Sequence, residues 1–206
     1  MKLSVSLLSS NYDIKKTIDK INATDAEYFH IDVMDGMFVP KYYDELSQLK
    51  GLKKESQVHL MVNDPFKYIT LYSELKPRTI IFQMEVDEDI ISLLNYIKSL
   101  GIRAGLAIKP ETDINEISEY LNIVDEVLIM TVEPGQGGQK FMEEMTEKIE
   151  MLSNIKEKRG LNFEIGVDGG INSETIKKLS GVDIAAVGSY ICKNENYQKQ
   201  IDNLRL

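Results

Sequence analysis

The stretch Tyr28–Met34, YFHIDVM, decides the fold. Successive side chains of a strand point to opposite sides, so Phe29, Ile31 and Val33 make one wholly apolar face, while His30, Asp32 and Met34 make the other. The same division recurs along the chain. In QVHLMV (57–62), Val58, Leu60 and Val62 oppose His59 and Met61. In FEIGVD (163–168), Phe163, Ile165 and Val167 oppose Glu164, Gly166 and Asp168; in LSVSL (3–7), Leu3, Val5 and Leu7 oppose Ser4 and Ser6. An apolar face for helices to cover and a polar face turned to an enclosed interior describe the strand of a barrel.

Strand-like runs begin near residues 3, 28, 57, 79, 103, 125, 163 and 184. The segments between them carry helical spacing and start signals. Asp13 opens DIKKTIDKI, and Asp64 precedes Pro65, a proline suited to the first helical position. Asp87 opens EDIISLLNYIKSL, which Gly101 ends; Thr112 opens DINEISEYL, and Asn172 or Ser173 opens ETIKKL. Eight starts in 206 residues give a repeat of about 26, the length of a helix of about 11, a strand of about 5 and two loops of about 4. Strands alternating with helices pair in parallel. Eight units predict a closed (β/α)8 barrel of the TIM type, one α/β domain over residues 1–206. The competing arrangement, an open doubly wound sheet, usually has a Gly-rich turn after its first strand; here that place holds LLSSN (7–11).

Hydrophobic residues are 43% of the chain and charged residues 28%, as in ordinary soluble globular proteins. No run approaches the ~18 apolar residues of a membrane span, and MKLSVSLLSSNYDIKK is too weakly apolar for a secretory signal. Cys192 stands alone, so no internal disulfide forms and a reducing cytoplasm is expected. With 24 basic and 33 acidic residues the net charge is −9. That argues against a nucleic-acid partner, which needs a positive surface. A small anion stays admissible, because backbone amides bind phosphate locally whatever the global charge.

Both histidines of the chain, His30 and His59, fall mid-strand on inward faces. A lone buried histidine is more often a hydrogen-bonded core residue than a ligand. Two of them, with Asp32 and Asp168 aimed into the same interior, are a different matter. Buried carboxylates are costly unless paired or metal-bound, and no lysine or arginine shares those inward faces near them. A divalent cation would answer the desolvation of all four. Glycines form the second constellation: VEPGQGGQKF (132–141), VDGGI (167–171) and VGS (187–189) end the sixth, seventh and eighth strands. A turn alone would explain any one of them. Three clusters at consecutive strand ends match the phosphate site that such barrels build from their last loops, where glycines let amides approach the oxygens. Lys140 is the nearest cationic side chain.

HIDVMDGMFVP (30–40), VHLMV (58–62), GLAIKPET (105–112), MTVEPGQGGQKF (130–141), VDGGI and VGS together closely resemble the ribulose-phosphate 3-epimerase family, whose motifs are shared by D-allulose-6-phosphate 3-epimerases. The matches run in order from Ser6 to Ser189. The resemblance implies a metal-dependent isomerase of carbohydrate phosphates that inverts C3 of D-ribulose 5-phosphate to D-xylulose 5-phosphate through a cis-enediolate. It implies one divalent cation (Zn, Fe, Mn or Co) on His30, Asp32, His59 and Asp168, with Asp32 and Asp168 doubling as the acid/base pair. Ser6, His59 and Asp168 would contact the substrate. Gly135, Gly137, Gly138, Gly169, Gly170, Gly188 and Ser189 would hold its phosphate, and Met34, Met61 and Met130 would pack on the intermediate. A homo-oligomer is implied as well.

Several positions depart from the family pattern. Lys41 replaces an Asn, Met37 a His, Gln136 the Phe of the glycine loop, Gln83 the His of a His-x-Glu motif, and Gly166 the Glu of Glu-Val-Asp. None is a proposed ligand or base. They bear on substrate choice, and Gly166 bears on support for the ligands. A six-carbon ketose phosphate is the alternative substrate, and a non-catalytic phosphosugar-binding barrel the alternative class. The presence of both histidines and both aspartates disfavours the latter. A decarboxylase or aldolase on this barrel would need an inward lysine, and strands two to seven show none.

Overall fold

A computed structural model describes residues 1–205. Its strands are β1 Lys2–Ser6, β2 Tyr28–Asp35, β3 Tyr42–Tyr43, β4 Glu55–Met61, β5 Thr79–Gln83, β6 Arg103–Ile108, β7 Glu126–Met130, β8 Glu164–Asp168 and β9 Ile184–Val187. All but β3 run parallel and close into a ring, since β1 pairs with β9 on one side and β2 on the other. That closure excludes the open sheet. β3 is an addition the alternation does not foresee; it lies antiparallel on the end of β2, with Met34 opposite Tyr43.

The helices are α1 Ile14–Asn22, α2 Pro65–Ser73, α3 Ile90–Ser99, α4 Met145–Arg159, α5 Ser189–Cys192 and α6 Tyr197–Leu204. Asp13 caps α1 by accepting the Lys16 N–H, and Asp64 caps α2 by accepting that of Lys67 with Pro65 in the first turn. Helix α3 is capped by Asp89, not Asp87. The buried stripe Ile90, Leu93, Leu94 and Ile97 sets where the helix must begin, and Asp89 immediately precedes it. Gly101 follows its end with φ of 74°. Two expected helices shrink to single 3₁₀ turns. Thr112 turns aside to bond Glu85, and Asp113 with Glu116 forms a capping box around Ile114–Ile117, whose two isoleucines are all that stretch buries. After β8, Asn172 accepts the N–H groups of Glu174 and Thr175, and only Ile176–Lys178 coils.

The core has two parts, as the alternation requires. Leu3, Val5, Phe29, Ile31, Val33, Val58, Leu60, Ile165 and Val167 belong to one large cluster between the ring and the helices. Inside the ring lie separate small clusters, Ile81 with Ala107, Leu128 and Met130, and Met34 with Val39 and Met61. The interior is thus plugged by apolar side chains, with polar groups left at its two ends. Cys192, at the end of α5, is fully buried and donates its thiol hydrogen to the Ser6 carbonyl at 3.3 Å. Among the described residues no helix is long and apolar enough to cross a membrane.

Candidate active site

At the C-terminal end of the ring, β2 delivers His30 and Asp32, β4 delivers His59, and the last residue of β8 is Asp168. Nε2 of His30 lies 3.5 Å from Asp32 Oδ1 and 3.7 Å from Asp168 Oδ2; Nδ1 of His59 lies 3.6 and 3.7 Å from the same two oxygens. These separations are too long for hydrogen bonds. Atoms each about 2.1 Å from one tetrahedral centre would lie about 3.4 Å apart, close to what is found. One donor atom from each of the four residues falls within 4.8 Å of all the others. His30 Nε2, His30 Nδ1 and His59 Nδ1 are buried without a hydrogen-bond partner. Orphaned ring nitrogens facing two carboxylates, with no protein cation among them, suit a divalent metal ion.

Charge pairing at the site pulls the groups apart. Burial acts to raise the Asp32 carboxyl, but the neighbouring His30 and His59 rings outweigh it and hold Asp32 well below the usual carboxylate range. Burial, joined by the charge of Asp32, pushes Asp168 up. For His30, burial opposes the charged ring, yet Asp32 and then Asp168 prevail and lift it to about 9. Ser6 donates to Asp32 Oδ2 at 2.7 Å. The Gln83 amide meets His59 Nε2 at 2.9 Å, while its carbonyl oxygen has no other partner. Turned over, that amide accepts from Nε2–H and leaves the Nδ1 lone pair facing the cluster.

Of the residues expected to hold metal or substrate, all except His30 and His59 line one pocket above this cluster, with about 530 Å³ of open space; Lys140 is not among them. Those two histidines lie fully buried. The glycine segments after β7, β8 and β9 meet on the pocket wall. Gly170, at φ of 66°, approaches so closely that a Cβ would strike the Phe141 amide; a Cβ on Gly137 would strike Ser9 Oγ. The pocket lining contains no lysine or arginine. Three features escape the sequence pattern: Ser9, which lines the pocket; Lys193, whose Nζ lies nearest Gly138; and Glu126. Glu126 answers the question of Gly166, because a Cβ there would sit 3.0 Å from Glu126 Oε1. The space that side chain would enter is taken by Glu126 and Leu128 of the neighbouring β7.

The family model of ribulose-phosphate 3-epimerases matches residues 2–192. The ribulose-phosphate 3-epimerase of Helicobacter pylori is 34% identical over 212 residues, covering all of this chain and 97% of that protein. The enzyme of the same name from Methanocaldococcus jannaschii is also 34% identical, over all of this chain and 90% of its own. Among solved structures, KGPDC from Streptococcus mutans superposes with a TM-score of 0.72 over 99% of this chain and 95% of its own. At 13% identity that likeness is one of fold alone.

Proposed function

The chain belongs to the ribulose-phosphate 3-epimerase family and is an isomerase of the epimerase class; from that premise we propose that it interconverts D-ribulose 5-phosphate and D-xylulose 5-phosphate with a divalent cation. One observation carries the reading. Two carboxylates from strands separated by β1 and β9 converge with two imidazoles on a single centre beneath a pocket. His30, Asp32, His59 and Asp168 would hold the ion, for which Zn, Fe, Mn and Co are all suited to mixed His/Asp ligands. When bound, the ion supplies Lewis-acid polarisation of the substrate's oxygens, which makes the proton at C3 more acidic.

Inverting C3 needs a proton to leave one face of the carbon and another to arrive on the opposite face. Asp32 and Asp168 take those two parts. They reach the centre from β2 and β8, with β1 and β9 between them, so one can accept a proton while the other donates. The reverse reaction exchanges the roles. Ser6 fixes one Asp32 oxygen and leaves the other for the site. Met34, Met61 and Met130 pack on the planar enediolate and keep water from it. The phosphate rests on main-chain amides of Gly135, Gly137, Gly138, Gly169, Gly170, Gly188 and Ser189. A cytoplasmic location and a homo-oligomer belong to the same reading, the first on the lone buried thiol of Cys192, the second on the family resemblance.

The test is a side-by-side assay of D-ribulose 5-phosphate and D-allulose 6-phosphate in D₂O with metal-reconstituted protein. Turnover of the pentulose with solvent deuterium at C3 of the product is expected. A preference for the hexulose would change the substrate, and no exchange at C3 with either would refute the reading.

A further inference from the structure

The pocket wall that would take the phosphate is short of positive charge: its ionisable lining residues are Asp32, Glu133 and Asp168, within a chain of net charge −9. Main-chain amides offer only partial charges against that field. Two side chains close the gap. Ser9 Oγ lies between two of the glycine segments, in the path of a Cβ on Gly137 and 3.5 Å from where one on Gly188 would be. Lys193 Nζ stands 3.4 Å from the Cβ position of Gly138, and no other side chain comes within 4 Å of that point.

Lys193 is held at its base. Its N–H bonds the Ser189 carbonyl at 3.2 Å and its own carbonyl accepts from Asn11 Nδ2 at 3.2 Å, so its backbone is tied to both the β9 loop and the β1 loop. Its ammonium is a different case. Among the described residues Nζ of Lys193 makes no hydrogen bond or ion pair, in a chain with 33 carboxylate residues to choose from. The Ser9 hydroxyl likewise has no hydrogen-bond partner among the described residues. A cation on a flexible stem and a hydroxyl, both unengaged and both against the same glycine loop, are what a tetrahedral dianion would recruit.

We propose that Lys193 and Ser9 are side-chain ligands of the substrate's phosphate, completing a cradle otherwise made of main chain. The inference rests on the reading of this pocket as a ketose-phosphate site and names the residues that set its anion affinity. Lys193 swings over the Gly137–Gly138 turn when the dianion arrives; Ser9 donates from the opposite side.

Lys193→Gln and Ser9→Ala test it, with Lys140→Ala as the control: both lysines are exposed, but Lys193 Nζ is the nearest group to the Gly138 Cβ position, whereas Lys140 is among the nearest groups of none of the glycines. The readouts are KM and kcat for D-ribulose 5-phosphate and the dissociation constant of inorganic phosphate alone by calorimetry. Loss of a hydrogen bond to a charged group predicts that Lys193→Gln raises KM and the phosphate constant together by about tenfold. Ser9→Ala should raise both about fivefold, with kcat within about twofold in each variant. The dependence of KM on salt should flatten in Lys193→Gln alone. A residue that merely props the loop would lower kcat and Tm and leave the salt dependence in place. Unchanged phosphate binding in Lys193→Gln overturns the inference even if the wild type epimerises well. A wild type that binds phosphate through Lys193 yet turns over neither ketose overturns only the reading beneath it.

Discussion

The barrel encloses a charged cluster at each end, and the two are built on opposite principles. At the N-terminal end, Glu164 takes Lys2 at 3.0 Å, Arg78 at 2.5 Å and Arg103 at 2.6 Å, while Glu126 takes both of its hydrogen bonds from Gln57, at 2.6 and 2.8 Å, with Arg78 3.7 Å away. Every carboxylate oxygen there faces a donor. At the C-terminal end two carboxylates face two imidazoles at 3.5–3.7 Å, and three ring nitrogens have no partner. Burial is costlier at the C-terminal end, where His30, Asp32 and His59 are no more than 4% exposed, than at Glu164, which is 19% exposed. The first cluster meets its carboxylates with protein donors; the second sets unpartnered ring nitrogens beside two carboxylates, an arrangement that could hold a metal ion.

The sharpest way to break that contrast is to disarm the uncompensated end. Asp32→Asn and Asp168→Asn should each cut kcat by about 10³-fold or more, since each removes a base and an anionic ligand while general acid–base catalysis alone supplies about 10²–10⁴-fold. Both variants should keep their fold, and near-normal turnover in either would end the two-base account. Chelation should abolish activity and a divalent cation restore it. Because Asp32 and Asp168 raise the His30 ring to about 9 and burial raises Asp168, metal uptake near pH 7.5 should release protons, measurable as a dependence of binding heat on buffer ionisation.

The compensated end should answer the opposite way. Arg78→Met strips Glu164 of one partner and leaves Glu126 without its nearest cation. Because Glu164 keeps Lys2 and Arg103 and Glu126 keeps Gln57, the predicted loss is about 1–3 kcal/mol in unfolding free energy, with kcat little changed. If that variant instead loses turnover at full stability, the division between the two ends is wrong.

A change with pH separates Glu126 from its neighbours. Burial, only partly offset by Gln57 and Arg78, lifts its carboxyl from 4.5 to about 7. The folded state therefore keeps a proton that the unfolded chain releases near pH 4.5, and stability falls as pH rises from there through about 7. Glu126→Gln should remove that slope: no difference at pH 4, and a gain of up to roughly 3 kcal/mol at pH 8. Chemical denaturation at the two pH values decides it.

Much of this was legible in the sequence because period-two alternation reports which face of a strand is enclosed. Asp32, His59 and Asp168 were placed by parity alone. What stayed hidden depends on register between distant segments. Nothing local to Gly166 says that Glu126, on the paired strand, fills its vacancy, nor does anything near Lys193 point to Gly138. Helix length was overread after β6 and β8: the start signals are present and Leu121 and Leu179 are buried beyond them, yet only Ile114–Ile117 and Ile176–Lys178 coil. Asp87 and Asp89 are equally good caps by type; only the packing of Ile90 chooses between them.

Cys192 gives the molecule a clock. Its thiol is fully buried, bonded to the Ser6 carbonyl, and pushed up to about 12 by its surroundings, chiefly burial. In the closed barrel it is inert to alkylating reagents, since only the thiolate attacks. Each labelling event therefore counts an opening that breaks the bond to the Ser6 carbonyl and frees the thiol, whether α5 lifts from β1 or the barrel unfolds. With one cysteine in the chain, the labelling rate reads that opening with no engineered probe. Inorganic phosphate or a ketose phosphate in the pocket should slow it in proportion to occupancy.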